Sequence, residues 1–469
     1  MTGEITPKPD TQSKMSSSDT TTIPVADCEV VDIPSIEAKP EVTELCMFQA
    51  AEPIAVKLAR TAEYAKDPKG YLARTVGDSV SVADGTRCIP TEPLVDDMYG
   101  MSTSKAEFET HIAKLLGKTT GLFFPTGVQA QLAAVKIYCQ RANKNTAAWH
   151  ISCHLETAEQ AAYKELYGLD RILLGTVADK LATVEQIKTV LDRPEAERPA
   201  VIVVEIPNRV LGCETYTFSE LEELSAACKT ANVAFHMDGA RLWEIEPWYQ
   251  AKFGKSFADV AGLFDSVYVS MYKGLGGATG AFLNSNDASF IDEAKIWQRR
   301  AGGTAFSSSY YWIDCQRGFN ESIGTFARKR EKMLEVAKGI LEATKQYTAE
   351  DGQPIVSFRP SLPNCCQTHT IFHGFTDAEF VAARDRVLEK THVKVFGALR
   401  PKITGERLAK RYEVITAPKY NMYSKSGGAT AEDLTHFMEW MIMSVTEKID
   451  TQVFVDGYVK LCKELLAGK

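Results

Sequence analysis

The segment DSVYVSMYKGLGGATG, from Asp265 to Gly280, places a lysine directly after a predicted strand and before a glycine-rich turn. Apolar residues alternate with Tyr268 and Ser270, which is the pattern of a strand. Lys273 lies at the C-terminal end of this strand. Burial there would lower its pKa and leave the amine able to form a Schiff base. A solvated lysine leaving a strand fits the same pattern, so the chemistry depends on what else lies nearby.

An aspartate ends the preceding predicted strand, in VAFHMDGARLWE. A carboxylate at the end of a buried strand must be hydrogen-bonded or paired with a cation. Arg241, three residues after Asp238, is one candidate partner. A protonated ring nitrogen of a bound ligand is the other, and the residues alone leave both open.

Two further polar positions follow predicted strands. Thr126 and Gly127 precede a predicted helix, whose N-terminus offers N–H groups, a hydroxyl and a positive dipole end to a phosphate. An ordinary threonine N-cap explains the same residues. His154 lies where a short extended piece meets a helix, and it is either catalytic or structural. His150 and Cys153 are nearby alternatives, and we assign Cys153 a structural role.

These residues require elements that bring them together. Strands and helices alternate between residues 120 and 285, which predicts an α/β domain with a mostly parallel sheet. Ligands of such sheets bind beyond the carboxyl ends of the strands. Thr126, Asp238 and Lys273 all lie at such ends, so we expect them to converge. Residues 290–348 are predicted to be helical, and the chain from 354 predicts a smaller α+β C-terminal domain, with a helix over 431–449.

Composition limits the possible functions. The chain has 469 residues, of which 45% are hydrophobic and 24% charged, as in soluble globular proteins. A net charge of −8 without blocks of like charge disfavours nucleic acids and anionic membranes as partners. No apolar run is long enough to span a membrane, and eleven scattered cysteines indicate reduced thiols. Residues 1–45 are predicted to be a disordered tail without a signal peptide, so we expect a cytoplasmic protein.

Five segments together resemble the threonine aldolase and aromatic amino acid β-eliminating lyase family: LVDDMYG, LFFPTGVQAQ, HLETAE, FHMDGARLWE and SVYVSMYKGLGGATGAFL. They occur in the family's order over about residues 91–310. The resemblance implies a fold-type I enzyme, the PLP-dependent transferase-like fold, with pyridoxal 5′-phosphate (PLP) as cofactor. Together with the patterns along the chain, it predicts an N-terminal arm over 46–90, a PLP-binding large domain over 91–325 and a small domain over 326–469.

Cofactor contacts carry over residue by residue. Lys273 is similar to the lysine that forms a Schiff base with PLP. Asp238 is similar to the carboxylate that keeps the pyridine nitrogen protonated, so that the ring can act as an electron sink. Thr126 and Gly127 occupy the turn that holds the phosphate. His154 corresponds to the histidine that stacks on the ring, and it is the candidate base.

At the substrate end the sequence departs from the family. Arg241 matches an arginine near the phenolic oxygen of the cofactor and the substrate. Phe306 stands where the family has an arginine. The arginine that binds the substrate carboxylate has no fixed counterpart, and Arg400 and Arg411 are the candidates.

The resemblance implies a catalytic activity and an assembly. We expect a lyase that cleaves the Cα–Cβ bond of a β-hydroxy-α-amino acid to glycine and an aldehyde, as threonine aldolases do. The alternatives are a β-eliminating lyase or racemase acting on another amino acid, or a non-catalytic PLP-binding regulatory protein. The family also implies a homodimer or homotetramer, and no metal site is predicted.

Overall fold

The computed structural model describes residues 42–47, 52–77, 86–175, 180–401 and 435–468, with residues 400 and 401 described through their backbone. The predicted tail up to residue 41 lies outside these ranges, and so does Arg411. The described chain begins with β1 (Thr43–Cys46), α1 (Ile54–Lys66), α2 (Pro68–Thr75) and α3 (Thr103–Leu115). Residues 43–45, which composition placed in the tail, form most of β1.

Seven strands form the central sheet: β2 (Thr120–Phe124), β3 (Thr146–His150), β4 (Asp170–Leu174), β5 (Val201–Glu205), β6 (Ala234–Gly239), β7 (Ser266–Ser270) and β8 (Ala281–Ser285). Their order is β2-β8-β7-β6-β5-β3-β4. The strand β8 runs antiparallel to both of its neighbours, β2 and β7, and the other six strands all run in one direction. The expected α/β fold with a mostly parallel sheet is confirmed. Asp238 on β6 lies opposite Glu205 on β5 and Tyr268 on β7.

Helices connect these strands and continue beyond them: α4 (Gly127–Arg141), α5 (His154–Thr157), α6 (Ala162–Glu165), α7 (Val184–Leu191), α8 (Phe218–Ala231), α9 (Leu242–Phe253), α10 (Phe257–Gly262), α11 (Ala288–Arg300), α12 (Ser309–Ser322) and α13 (Phe326–Thr344). The helical prediction for 290–348 is confirmed. The strand β5 is apolar over 201–204, and its side chains there are buried.

The C-terminal part contains β9 (Val356–Arg359), β10 (Gln367–His373), α14 (Asp377–Thr391), β11 (Val393–Phe396), β12 (Arg400–Pro401), β13 (Thr435–Met441) and α15 (Thr451–Ala467). Four of these strands form a sheet in the order β12-β13-β10-β9, and β11 pairs with β1. The helix predicted over 431–449 is wrong for the described residues, because Thr435–Met441 pairs antiparallel with β10. Its apolar and aromatic residues fit a strand as well as a buried helix, and pairing with β10 decides between them.

The described residues from Val42 onward belong to one compact unit, and the domain boundaries at 45, 90 and 325 stay predictions. None of the helices in the described ranges combines the length and apolar composition needed to cross a bilayer.

Candidate active site

A cavity opens at the carboxyl ends of the central strands. Five of the residues singled out from the sequence line it: Gly127, His154, Asp238, Arg241 and Lys273. They lie at or beyond the carboxyl ends of four strands, β2, β3, β6 and β7, as expected for a sheet whose strands run mostly in one direction.

Lys273 lies three residues beyond β7, at the start of the glycine-rich turn. Burial, together with the positive charge of the neighbouring Arg241, lowers the pKa of Lys273 to about 8. Its Nζ has no hydrogen bond or ion pair with any residue that the structure describes. The turn itself is fixed, because Gly274 N–H donates to Glu244 Oε1 at 2.8 Å and a Cβ at Gly274 would come within 2.5 Å of that oxygen. The amine is therefore available as a nucleophile near neutral pH.

Asp238 is 1% exposed and is held by two hydrogen-bond donors. The side-chain amide of Gln131 donates to Oδ2, and Ala240 N–H donates to Oδ1 at 3.0 Å. Arg241, the partner suggested by the sequence, instead contacts Glu244 and Glu439. Sequence reasoning did not point to Gln131.

A chain of buried hydrogen bonds orients the Gln131 amide. Tyr138 Oη donates to Ser266 Oγ at 2.8 Å, and Ser266 Oγ lies 2.7 Å from His236 Nδ1. His236 Nε2 lies 3.3 Å from Gln131 Oε1. Burial lowers the pKa of His236 to about 3, so the ring is neutral. The Ser266 hydroxyl is free to donate to Nδ1, and Nε2–H then donates to Gln131 Oε1. This arrangement turns the amide NH₂ toward Asp238.

The N-terminus of α4 lies at one side of the cavity, which Gly127 and Val128 line. Thr126 caps the helix, and its Oγ1 accepts a hydrogen bond from Gln129 N–H at 3.4 Å. A Cβ at Gly127 would lie 2.0 Å from Tyr268 Oη, so only glycine allows the helix to begin this close to β7. The first N–H groups of a helix have no intrahelical acceptor, and here they face an open cavity.

His154 begins α5, and its Nδ1 contacts the Glu159 carboxylate. The His154 side chain is 37% exposed, whereas Glu159 is 9% exposed. The alternatives near His154 are enclosed in the fold. His150 bonds Ser152 at 2.7 Å and burial lowers its pKa to about 4, while burial raises the pKa of Cys153 well above its ordinary value. His154 is thus the histidine of this segment that a ligand can reach.

Glu205 lines the same cavity, although it is not among the candidates selected from the sequence. Arg209 N–H donates to its Oε1 at 2.9 Å, whereas the buried Oε2 has no hydrogen-bond partner among the described residues. Burial raises the pKa of Glu205 to about 7, and the negative charge of Asp238 adds to the effect. A strand-end glutamate beside a strand-end aspartate was the signal available in the sequence.

Replacing Glu205 with glutamine is expected to flatten the pH dependence of stability. The carboxyl binds its proton more tightly in the folded chain, with a pKa of about 7 against an ordinary 4.5. Wild-type stability therefore falls as pH rises between these values, by about 3 kcal/mol if no other group compensates. Urea unfolding of the cofactor-free full chain at pH 4.5 and pH 8 measures this. An equal pH slope in wild type and E205Q would contradict it.

Of the three predicted substrate-binding arginines, the structure describes the side chain of one. Arg241 is 2% exposed, with Nη1 3.7 Å from Glu244 Oε1 and Nη2 3.8 Å from Glu439 Oε1. Arg400 lies in β12 with only its backbone described, and Arg411 lies outside the described residues. Phe306 is 62% exposed and its ring packs edge-on against Tyr99 at 5.5 Å.

The sequence pattern of the β-eliminating lyase family matches residues 92–350, more than half of the chain. The chain belongs to this family. The resemblance seen in the sequence is thereby confirmed, and the family's enzymes have the PLP-dependent fold type I. The cofactor of this family is PLP.

The similar proteins include several threonine aldolases. The low specificity L-threonine aldolase of Escherichia coli (strain K12) is 25% identical over 211 residues, covering 45% of this chain and 61% of that protein. Low-specificity L-threonine aldolase 1 of Arabidopsis thaliana is 24% identical over 212 residues, covering 44% and 58%. The matches thus span about three fifths of these relatives. A solved structure of a candidate L-allo-threonine aldolase from Listeria monocytogenes has a TM-score of 0.69 and 29% identity, covering 90% of this chain and 97% of that one.

The residues of the cavity fit PLP group by group. Lys273 offers an amine without a partner among the described residues to the aldehyde carbon. Asp238 offers a buried carboxylate to the pyridine nitrogen. The N-terminus of α4, where Gly127 and Val128 line the cavity, offers N–H groups to the phosphate, and Thr126 caps this helix beside it.

Proposed function

We propose that this protein is a PLP-dependent lyase that cleaves the Cα–Cβ bond of a β-hydroxy-α-amino acid, giving glycine and an aldehyde. The observation that carries the proposal is the convergence of Lys273, Asp238 and the His154–Glu159 pair on one cavity. When bound, PLP supplies an electron sink that stabilises negative charge on the substrate Cα. The threonine aldolases among the similar proteins support the choice of bond.

Each of the cavity residues has a separate role in this proposal. Lys273 would hold the cofactor covalently through its amine. Asp238, oriented by Gln131 and Ala240 N–H, would keep the ring nitrogen protonated. Thr126 and the first N–H groups of α4 would bind the phosphate.

His154 is the proposed general base, which takes the proton from the β-hydroxyl. Its Nδ1 is engaged by Glu159, which orients the ring and leaves Nε2 for the substrate. Removal of the hydroxyl proton and cleavage of Cα–Cβ leave the former β-carbon as an aldehyde. The proton then needed at Cα of glycine can return from the same group or from water.

Replacing His154 with asparagine is expected to lower kcat for aldol cleavage by about 10²-fold while cofactor binding is retained, because the base acts on the substrate hydroxyl. The substitution keeps a polar group near Glu159, so the fold around α5 should persist. Kinetics with L-threonine and a cofactor titration check this. Full activity in His154→Asn would exclude His154 as the base.

Product analysis tests the proposed reaction. The purified, PLP-loaded full chain is incubated with L-threonine, L-allo-threonine and L-phenylserine, and glycine and aldehyde are quantified. The proposal predicts equal amounts of both. Ammonia with a 2-keto acid would show a β-eliminating lyase, and inversion at Cα without cleavage would show a racemase. PLP binding without any turnover would indicate a regulatory protein.

We also propose that the protein forms a homo-oligomer. A patch of exposed apolar side chains, each more than half exposed, consists of Met98, Tyr99, Met101 and Phe306 on two adjoining loops and Tyr310 in the first turn of α12. The loops are fixed to each other, since Tyr99 N–H donates to Phe306 C=O at 2.7 Å. Exposed apolar patches of this kind are typical of interfaces. Sedimentation equilibrium of the full chain decides between monomer, dimer and tetramer.

A further inference from the structure

Two carboxyl groups lie side by side in the cavity. Glu205, at the end of β5, is the register partner of Asp238 on β6, and both residues line the cavity. Neighbouring strands of a sheet are about 4.8 Å apart, and two buried negative charges at such a separation repel each other strongly. One proton on the pair relieves this repulsion at neutral pH, and the hydrogen bonds decide which carboxyl carries it.

The two carboxyl groups differ in the donors that they receive. Asp238 accepts on both oxygens, from the Gln131 amide at Oδ2 and from Ala240 N–H at Oδ1, 3.0 Å away. Glu205 accepts from Arg209 N–H at Oε1, 2.9 Å away. Its Oε2 is buried and has no hydrogen-bond partner in the part of the chain that the structure describes. Donors on both oxygens favour a charged carboxylate, so the charge belongs on Asp238 and the proton on Glu205 Oε2.

The groups around Glu205 agree with this assignment. Burial, together with the charge of Asp238, raises the pKa of Glu205 to about 7. Four other titratable or charged groups face Glu205 from neighbouring elements: Arg209, Lys273, His154 and the neutral, buried thiol of Cys153. The positive charges among them act against the proton, but burial and Asp238 outweigh them. The Arg209 guanidinium is also directed elsewhere, since its Nη1 donates to Glu439 Oε2 at 2.8 Å.

We propose that Glu205 is a ligand-binding residue of the cavity, whose Oε2–H donates a hydrogen bond to an anionic oxygen of the bound ligand. The inference rests on the proposed function, which places PLP and an amino acid in this cavity. The acceptor is an oxygen of the cofactor or of the amino acid, and the experiment distinguishes these two sources. A neutral carboxyl suits this contact, because an O–H donor and a charged acceptor make a short, strong hydrogen bond.

The contact should weaken as pH rises. Above a pH of about 7 Glu205 loses its proton, so the donor disappears and a second negative charge faces the ligand. Glutamine at this position provides the informative comparison. Its side-chain oxygen accepts from Arg209 N–H as the carboxyl does, and its NH₂ group donates at every pH. Leucine is similar in size but neither donates nor titrates.

Two ligands test the contact in the full chain by calorimetric titration at pH 6 and pH 8.5. Pyridoxamine 5′-phosphate, which forms no Schiff base with lysine, is titrated into the cofactor-free protein, and glycine into the PLP-loaded protein. For the ligand that carries the acceptor, wild-type affinity should fall about 10-fold or more between these pH values relative to Glu205→Gln, as expected for a hydrogen bond to a charged group. Glu205→Leu should bind that ligand about 10-fold more weakly than Glu205→Gln at both pH values.

Glu246→Gln is the matched control, because burial raises the pKa of Glu246 to about 7 as well, yet Glu246 lies on α9 and does not line the cavity. It should bind both ligands as wild type does. A response to pyridoxamine 5′-phosphate places the acceptor on the cofactor, and a response to glycine alone places it on the amino acid.

Two results would overturn the proposal. One is wild-type affinity for both ligands in Glu205→Leu at pH 6. The other, which does not depend on the folding of the leucine variant, is an equal pH dependence for both ligands in wild type and Glu205→Gln. Failure of wild type to cleave any β-hydroxy amino acid would count against the proposed reaction alone, since neither titration requires turnover.

Discussion

Replacing Lys273 with alanine is expected to remove covalently held cofactor and to lower turnover by at least about 10⁴-fold, as loss of a nucleophilic residue does. Burial lowers the pKa of the amine to about 8, and the amine has no ion pair among the described residues, so it can react with the cofactor. No other residue that lines the cavity has such an amine. Borohydride reduction followed by peptide mass spectrometry should find the cofactor on Lys273 in wild type. In Lys273→Ala it should find no labelled lysine.

Lys118 provides a matched control for burial of a lysine. Burial lowers the pKa of Lys118 to about 8 as well, but its Nζ donates to Phe264 C=O at 2.5 Å. Lys118→Met leaves that carbonyl without its donor and should cost about 1–3 kcal/mol of stability while cofactor attachment persists. Lys273→Ala should show the opposite pattern. A labelled cofactor in Lys273→Ala would refute the assignment.

The central sheet could be predicted because the residue pattern that indicates each strand lies within a few consecutive positions. Each strand is a short apolar run, and the helices between them impose parallel neighbours. Parallel strands end at one edge of the sheet, so Thr126, Asp238 and Lys273 were expected together from their positions alone. The structure brings Asp238, Lys273 and Gly127, the neighbour of Thr126, to one cavity.

The partners of these residues could not be predicted in the same way. Gln131 lies 107 positions from Asp238, and Glu439 lies 230 positions from Arg209. Each is a polar residue inside an otherwise ordinary element, and only the packing of that element gives it a partner. The strand that carries Glu439 was itself predicted to be helical, because its apolar residues do not distinguish the two periods. The substrate end of the site was therefore least accessible from sequence.

Replacing Asp238 with asparagine is expected to lower turnover by about 10³-fold, in the range for removing one electrostatic contact to developing charge. Asparagine keeps the volume and still accepts from Ala240 N–H, so its position should change little. What it lacks is the negative charge that holds a proton on the ring nitrogen. Its NH₂ also meets the Gln131 amide, whose orientation His236 fixes, and stability should fall by about 1–3 kcal/mol. Steady-state kinetics at saturating PLP and urea unfolding measure the two effects.

Glu109→Gln is the control for this variant. It separates the effect of losing the Asp238 charge at the ring nitrogen from the effect of losing any enclosed carboxylate. Glu109 accepts from Phe123 N–H at 2.8 Å and pairs with Lys105 at 2.5 Å, on α3 and away from the cavity. It should lose stability as Asp238→Asn does, yet keep the wild-type turnover per bound cofactor. If Asp238→Asn also kept its turnover with PLP bound, the ring nitrogen would not face this carboxylate. The chain of hydrogen bonds from Tyr138 to Gln131 would then serve the fold alone, because its end point is Asp238.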